Sequence, residues 1–351
     1  MTRLKFGIIG CSRIAKRSVI PAIQKSEFAE LEIIGSRSTD KAKEFAKEFN
    51  CEKFGAYADV ISDDSVDVVY ISTPIGTHEE WSIKATAAGK HVYVEKSSTY
   101  SFDSAKNMVN SAKENNVRLM EGFMFRFHPQ HQKVKELINE GKIGEVKSFH
   151  GVFGFPAFPE GDIRYAPSTR GGGFLNDSGC YPICASRMIF DEEPLSVFCN
   201  QKMISTKNDV TDVSGTAILY YENGKTASIS YINGSYYQAK YEVWGTDGVI
   251  SLDRAYSVPS DFRTKITLQY NTENNWDGRQ KEIFEIEPKD HFLEMLDTFC
   301  MEITGTKKAP FNFEQELLNQ ARTMFAANSS ASNLSDSKTA FWFKDQPNTN
   351  V

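Results

Sequence analysis

The sequence lacks the features that mark several broad classes of protein. No Cys-x-x-Cys pair is present, and the cysteines are scattered, so we expect reduced thiols rather than a disulfide scaffold or a cysteine metal site. No stretch approaches the ~18 apolar residues of a membrane span. An excess of positive charge is also missing: 40 basic against 46 acidic residues give a net charge of -6, which argues against broad binding to nucleic acid or anionic lipid. The N-terminal segment has no apolar core or cleavage site of a secretory signal, and we expect a cytoplasmic protein.

The chain has the composition of a globular protein, with 40% hydrophobic, 12% aromatic and 25% charged residues. Its 351 residues exceed the usual size of one hydrophobic core, and we predict two domains. Because the charge balance is acidic, any anionic ligand should bind where a few basic residues are concentrated.

Residues 1–125 form the first predicted domain, in which short β-branched runs alternate with amphipathic helical stretches, as in a parallel α/β sheet. The predicted strands are Leu4 to Ile9, Leu31 to Gly35, Val66 to Ile71, His91 to Glu95 and Val117 to Glu121. The predicted helices carry apolar residues at spacings of three and four, at Ile14 to Lys25, Lys41 to Phe49, Glu79 to Ala88 and Phe102 to Asn115.

Residues 126–351 form the second predicted domain, most of which has the composition of β-strands. The stretch from Glu145 to Glu287 is rich in aromatic and β-branched residues, and turns at 222–225 and 246–248 indicate antiparallel hairpins. Helices are predicted at Pro129 to Glu140, Pro182 to Phe190, Lys289 to Thr304 and Phe313 to Ser332. The last helix is a candidate to pack back on the first domain.

The first strand leads directly into GCSRIA at 10–15, which matches the GxGxxG/A loop of dinucleotide-binding domains except at Ser12, where the pattern has its second glycine. In this strand-to-helix context, backbone amides at the helix start would hold a pyrophosphate, and the Ser12 hydroxyl could donate to a phosphate. The alternative is an ordinary tight turn. The predicted cofactor contacts here are Gly10, Ser12, Arg13 and Ile14.

The second strand ends in GSRS at 35–38, without the carboxylate that accepts from the ribose 2′-hydroxyl of NAD. A 2′-phosphate at this position would meet the Arg37 guanidinium and the hydroxyl of Ser36. We therefore predict NADP(H), with NAD(H) less favoured. The alternative for Arg37 is a solvent-facing side chain.

Three further segments complete a recognisable series: STPIGTH at 72–78, EKS at 95–97 and GGGFLNDSGCY at 171–181. With the glycine loop, they resemble the Gfo/Idh/MocA family (glucose-fructose oxidoreductase / inositol dehydrogenase) from Leu4 to about Ser332. The resemblance implies an α/β Rossmann domain followed by an α+β domain with a large open-faced, mainly antiparallel sheet, a homodimer or homotetramer, and a site in the cleft between the domains. It also implies cofactor contacts from Thr73, Pro74, His78, Glu95 and Lys96.

The resemblance assigns three catalytic residues. Lys96 falls on the lysine of the family's EKP motif, whose proline is here Ser97, and its ammonium would contact the cofactor ribose and the reacting oxygen. Tyr181 stands where many members have histidine, which implies a phenol as proton donor, with an ammonium nearby to lower its pKa. Asp177 would orient Lys96 or bind a substrate hydroxyl. Each residue also has a structural alternative. Lys96 could belong to an exposed Glu-Lys pair at a strand end, Tyr181 could be an aromatic packing residue, and Asp177 could cap the following helix.

Two more segments, EGFMFRFHPQH at 121–131 and GDIRY at 161–165, resemble those of nucleotide-diphosphosugar 3-ketoreductases. The predicted substrate-binding residues, including a local cationic surface for a diphosphate, are Arg126, His128, Arg164, Tyr165, Arg170, Asp177 and Tyr181. Each charged residue could equally be a solvated surface group.

The leading hypothesis is an NADP(H)-dependent oxidoreductase of a sugar carbonyl or alcohol, with a nucleotide-diphosphate 3-ketosugar as the expected substrate. One alternative is an aldose or trans-dihydrodiol dehydrogenase that uses NADP+. An alternative of another class is a non-catalytic regulatory protein that binds the dinucleotide. We expect no metal, nucleic acid or membrane partner.

Overall fold

The computed structural model describes residues 3–205, 210–271, 278–333 and 341–342. These residues form two compact units that are discontinuous in sequence. Unit 1 comprises the chain up to Phe127, Ser168–Gly171 and Asp290–Ala321, and unit 2 comprises His128–Pro167, Gly172–Lys289 and the chain from Arg322. The predicted domains, 1–125 and 126–351, assume two continuous segments, so the two divisions differ at Ser168–Gly171 and Asp290–Ala321.

Unit 1 is built on a six-stranded, parallel sheet in the order β3-β2-β1-β4-β5-β6. Its strands are β1 (Leu4–Ile9), β2 (Ala29–Gly35), β3 (Lys53–Gly55), β4 (Val68–Ile71), β5 (His91–Val94) and β6 (Leu119–Glu121). The central strands β1, β4 and β5 consist mostly of buried aliphatic and aromatic residues, as in sheets covered by helices on both faces. The order reverses between β1 and β4, and ligands of doubly wound sheets bind beyond the strand ends at such a point.

The crossover helices of unit 1 agree with the predicted ones to within a few residues. They are α1 (Ile20–Lys25), α2 (Thr39–Glu48), α3 (Tyr57–Ser62), α4 (His78–Ala87) and α5 (Phe102–Glu114). A π-helical turn, Ala15–Val19, precedes α1. Among the described strands and α-helices of unit 1, β3 and α3 have no predicted counterpart. A three-residue strand with two exposed residues has no readable alternation.

Two later stretches of the chain belong to unit 1. One is Ser168–Gly171, and the other contains α8 (His291–Ile303) and the beginning of α9 (Phe313–Asn333). Leu317 of α9 is fully buried in the same hydrophobic cluster as Ile71 of β4. The first turns of α9 therefore complete the core around the parallel sheet.

Unit 2 contains a nine-stranded sheet in the order β14-β13-β12-β11-β7-β10-β9-β8-β15, in which all neighbours are antiparallel except β7 and β10. Its strands are β7 (Val146–Phe155), β8 (Ser196–Ser205), β9 (Val210–Tyr220), β10 (Thr226–Asn233), β11 (Gln238–Gly245), β12 (Gly248–Leu252), β13 (Thr264–Asn271), β14 (Arg279–Ile286) and β15 (Phe341–Trp342). The predicted hairpin turns at 222–225 and 246–248 are confirmed, since they join β9 to β10 and β11 to β12.

The helices of unit 2 are α6 (Pro129–Asn139) and α7 (Cys180–Phe190), together with the remainder of α9. Every residue of α7 is buried. Because α7 packs beneath β7 and β10, the sheet has one covered face. Among the helices that the structure describes, none is both long and apolar enough to cross a membrane.

Candidate active site

The glycine loop of unit 1 has the geometry of a phosphate-binding turn. Gly10 has φ +106°, and a Cβ at this position would lie 3.1 Å from the backbone carbonyl of Ser72. Only glycine suits this close approach between the ends of β1 and β4. The Ser12 hydroxyl accepts a hydrogen bond from the Ala15 amide at 3.0 Å, and Arg13 and Ile14 are already helical. Ser12 thus caps the helix, and its hydroxyl can still donate to an acceptor such as phosphate.

The end of β2 presents hydroxyl groups and one guanidinium. The Ser36 side chain is buried and accepts from the Ser38 amide at 3.2 Å, while Arg37 is exposed. Burial raises the pKa of Tyr57, and the neighbouring Arg37 guanidinium opposes that rise. Arg37 therefore lies beside the Tyr57 phenol, with its charge open to solvent, as an arginine that binds a 2′-phosphate should.

His78 links the loops that follow β4 and β5. Its Nε2 lies 2.7 Å from the Thr73 carbonyl oxygen, and its Nδ1 lies 3.2 Å from the carbonyl oxygens of both Ser97 and Ser98. The ring is 1% exposed, and burial lowers its pKa to about 4. A neutral imidazole with these contacts fixes the loop that contains Thr73 and Pro74 rather than transferring protons.

Glu95 and Lys96 follow β5 directly, at the carboxyl edge of the parallel sheet. The buried Tyr70 hydroxyl donates to the Glu95 carboxylate at 2.8 Å, and burial raises the pKa of Glu95 to about 7. The peptide bond between Lys96 and Ser97, where the family's motif has proline, is cis. The Ser98 amide donates to Glu121 of β6 at 2.6 Å. The Lys96 loop is thereby held on both sides by buried polar contacts.

Arg170 belongs to the Ser168–Gly171 segment of unit 1 and is exposed. This segment packs on the loop after β4 so closely that a Cβ on Gly76 would overlap the Thr169 carbonyl oxygen. Arg170 is therefore placed next to the STPIGTH loop.

In unit 2, Tyr181 lies in the first turn of α7, immediately after a π-helical turn at Leu175–Gly179. Such turns often occur at functional sites. Its side chain is 7% exposed, and its ring meets Phe153 edge-on at a centroid distance of 5.0 Å and Tyr256 at 5.9 Å. Tyr181 is thus oriented by an aromatic wall.

Asp177 and Arg164 form an ion pair within unit 2, with the Arg164 Nε 2.7 Å from Asp177 Oδ2. The Arg164 Nη1 also donates to Asp162 at 3.0 Å, and the guanidinium lies 4.1 Å from the Phe158 ring centroid. The Tyr165 hydroxyl donates to the Phe158 carbonyl at 3.1 Å. The carboxylates of Asp162 and Asp177 therefore compensate the charge of Arg164. The Arg164 side chain in turn orients Asp177.

Two predicted substrate residues, Arg126 and His128, make contacts that stabilise the fold. The Arg126 Nη1 lies 2.6 Å from Glu316 in an ion pair, and its guanidinium covers the Phe311 ring at 3.8 Å. His128 is 1% exposed and caps α6 by accepting from the Gln130 amide, and burial lowers its pKa to about 4. Neither environment resembles a diphosphate site, because one charge is compensated and the other ring is neutral and covered.

Asp212 of β9 is a site-related residue that lies outside the predicted set. It is 6% exposed, accepts from the Leu175 amide at 2.6 Å, and burial raises its pKa. Its carboxylate thereby caps the π-helical turn that carries Asp177 and leads to Tyr181. No local motif could reveal it, because the contact joins residues 37 positions apart.

Comparisons with known proteins match both parts of the chain. The family model described as an oxidoreductase family with an NAD-binding Rossmann fold matches residues 4–123, and that of the GFO/IDH/MocA C-terminal domain matches residues 131–251. The dTDP-3,4-didehydro-2,6-dideoxy-alpha-D-glucose 3-reductase of Saccharopolyspora spinosa is 35% identical over 76% of this chain and 79% of its own. The NADP(+) D-xylose 1-dehydrogenase 2 of Haloferax volcanii is 33% identical over 93% of this chain and 97% of its own.

Among solved structures, the 3-ketoreductase of Actinomadura kijaniata in complex with NADP and TDP-benzene is similar at a TM-score of 0.86 and 31% identity. The match covers 94% of this chain and 98% of that one. The predicted fold class, a Rossmann domain with a second domain built on a mainly antiparallel sheet, is confirmed. The chain belongs to the Gfo/Idh/MocA family of oxidoreductases.

Proposed function

We propose that the protein is an NADPH-dependent reductase of a nucleotide-diphosphate ketosugar, most specifically of a 3-keto group. The observation that carries the proposal is that Lys96, at a strand end of the parallel sheet, and Tyr181, in the first turn of α7, occur together in a chain similar over nearly its whole length to a 3-ketoreductase. A protein that only binds a dinucleotide has no need for this pair.

The residues of unit 1 fit NADP(H). The amides after Gly10 and the Ser12 hydroxyl would hold the pyrophosphate at the start of the helix, and Ser36 with Arg37 would hold the 2′-phosphate. Thr73 and Pro74 would line the nicotinamide pocket, and His78 would shape it by fixing their loop. The Glu95 carboxyl would lie behind Lys96. The bound cofactor supplies the hydride.

The proton would come from Tyr181. Its phenol donates to the sugar carbonyl oxygen as charge develops there, while the Lys96 ammonium hydrogen-bonds the same oxygen and stabilises the phenolate that remains. Asp177, oriented by Arg164, would bind a sugar hydroxyl. Tyr165 would contribute to the wall of the same substrate site.

Oxidation of a free aldose is a second candidate, favoured by the extent of the similarity to the D-xylose dehydrogenase. The same Lys96 and Tyr181 serve in either direction, because the acid of the reduction is the base of the oxidation. trans-Dihydrodiols belong to this alternative.

A panel of substrates separates these candidates. Purified protein is assayed by NADPH absorbance with a TDP-linked 3-ketosugar, and in parallel with NADP+ plus D-xylose or a trans-dihydrodiol. We expect rapid oxidation of NADPH with the TDP-linked 3-ketosugar, and no reduction of NADP+ with D-xylose or the trans-dihydrodiol. Turnover of D-xylose but not of the ketosugar would establish the dehydrogenase, and cofactor binding without any turnover would indicate a regulatory protein.

We also propose a homodimer or homotetramer that pairs through the exposed face of the unit 2 sheet. The strand register places Phe198, Tyr220, Ile232 and Trp244 on one face, and each is 38–44% exposed. An apolar face of this breadth is typical of a subunit interface. Light scattering in dilute solution should give at least twice the chain mass, and a monomeric mass would exclude the proposal.

A further inference from the structure

Arg254 follows β12 in unit 2 and has surroundings unlike those of Arg126 and Arg164. Its side chain is half-exposed, and its guanidinium lies 4.8 Å from the ring centroid of Tyr237 and 5.5 Å from that of Phe262. No carboxylate of the described residues forms an ion pair with it, although Asp253 and Asp261 are nearby in sequence and exposed. Within the part of the chain that the structure describes, Arg254 therefore lies on an aromatic platform without an ion pair.

Two of the three arginines predicted for the diphosphate, Arg126 and Arg164, differ in this respect. Arg126 is paired with Glu316, and Arg164 is paired with both Asp162 and Asp177. A diphosphate that replaced these carboxylates would have to break ion pairs between partly buried groups, which costs free energy. An arginine without such a pair binds a diphosphate at no such cost, with a planar fork that matches two phosphate oxygens.

The backbone around Arg254 is fixed by two buried residues of the EGFMFRFHPQH segment. The Gln130 Nε2 donates to the Arg254 carbonyl at 3.0 Å, and the His131 Nε2 lies 2.9 Å from the Ala255 carbonyl oxygen. The Ala255 amide in turn donates to Ala239 of β11 at 2.5 Å. The guanidinium thus projects from a rigid backbone, which lowers the entropy lost when a ligand binds.

An unbroken set of aromatic rings connects this platform to Tyr181. The Tyr237 ring lies 6.3 Å from that of Phe153, which lies 5.0 Å from that of Tyr181. Tyr256 contacts both Phe153 and Tyr181. Arg254 is therefore linked to the proposed proton donor by two ring contacts, from Tyr237 to Phe153 and from Phe153 to Tyr181.

We propose that Arg254, supported by Tyr237, binds the diphosphate of the nucleotide-linked substrate, and that Gln130 and His131 position it. This inference rests on the proposed function, since it gives the nucleotide-sugar a binding residue. It also explains the QH pair of the 121–131 segment, whose two side chains are buried and act on the backbone of Arg254.

Calorimetric titration of the NADP+-loaded protein tests this inference without turnover, with TDP and thymidine as probes. Arg254→Gln should weaken TDP binding about tenfold or more, because it removes a charged hydrogen bond, and should leave thymidine binding unchanged. Arg254→Lys should recover part of the affinity, since it restores a point charge without the fork. The matched control is Arg263→Gln, an exposed arginine paired with Glu285 and Glu287, which should bind TDP like the wild type.

Kinetics with the TDP-linked ketosugar provide the second readout. Arg254→Gln should raise KM and leave kcat near the wild-type value, because the residue contacts a part of the substrate that does not react. Equal TDP affinity in wild type and Arg254→Gln, with ketosugar turnover intact, would overturn the role of Arg254 and leave the proposed function standing. A wild-type protein that oxidises free aldoses and does not bind TDP would overturn both this inference and the proposed function.

Discussion

The cofactor preference depends on one exposed side chain, and Arg37→Gln tests it. Arg37 follows β2 beside the Tyr57 phenol, in the position where an NAD-binding domain has a carboxylate. Glutamine keeps most of the length and the polarity of the side chain but removes the charge. NADH has no phosphate at this position, so only NADPH should respond to the substitution.

The expected magnitude follows from one charge-assisted hydrogen bond, which contributes about 1.5–3 kcal/mol. At ~1.4 kcal/mol for each tenfold change, the Kd for NADPH should rise roughly 10- to 100-fold. Because Arg37 is exposed, salt screens part of its attraction, and at physiological ionic strength we expect the lower end of this range.

Nicotinamide fluorescence titrations with NADPH and NADH measure both affinities in the wild type and the variant. The matched control is Lys47→Gln, which removes an exposed charge from the last turn of α2, at the far end of the helix that follows Arg37. An unchanged Kd for NADPH in Arg37→Gln would refute the reasoning. So would an equal loss of affinity for NADH, since that would indicate damage to the fold of the loop.

Three further results are expected. Asp212→Asn should lower kcat more than it raises KM and shift the pH profile, because the carboxylate that caps the turn before Tyr181 loses its charge; unchanged kinetics would contradict this positioning role. Burial raises the pKa of Glu95 from 4.5 to about 7, so its stabilising contribution is fully present below pH 4.5 and is lost as pH rises through 7. Denaturant titrations should therefore show the unfolding free energy of the wild type falling relative to that of Glu95→Gln over this range, and parallel curves would exclude it. Arg126→Gln should cost about 1.5–3 kcal/mol of stability, because it removes a charged hydrogen bond to the partly exposed Glu316; a raised KM at unchanged stability would instead indicate a substrate contact.

Much of the fold was predictable because it depends on local periodicity. The alternation of buried strands and amphipathic helices predicts the parallel sheet, and the turns at 222–225 and 246–248 predict two hairpins. The exchange of Ser168–Gly171 and of the first turns of α9 into unit 1 depends on tertiary packing of residues such as Leu317. The last helix was a candidate from the sequence to pack on the first domain, but local pattern does not show which of its turns do so.

The candidate site was predictable only where chemistry and position coincide in a short segment. Lys96 and Tyr181 each stand in such a segment. Arg126 has the positive charge that a phosphate-binding residue needs. Glu316, which is distant in sequence, compensates that charge. Conversely, Asp212 and Arg254 lie in unremarkable strand and loop sequence, and only their tertiary partners indicate a role.

The most direct test of the central claim is the turnover of Tyr181→Phe with saturating NADPH and a TDP-linked 3-ketosugar, measured together with its NADPH affinity. Phenylalanine keeps the edge-on contact with Phe153 and removes only the hydroxyl. We predict a loss of about 10²- to 10⁴-fold in kcat, the usual contribution of a general acid, with the NADPH Kd unchanged. Lys96→Ala should also lower kcat sharply. Near-normal turnover in both variants would contradict the proposed mechanism.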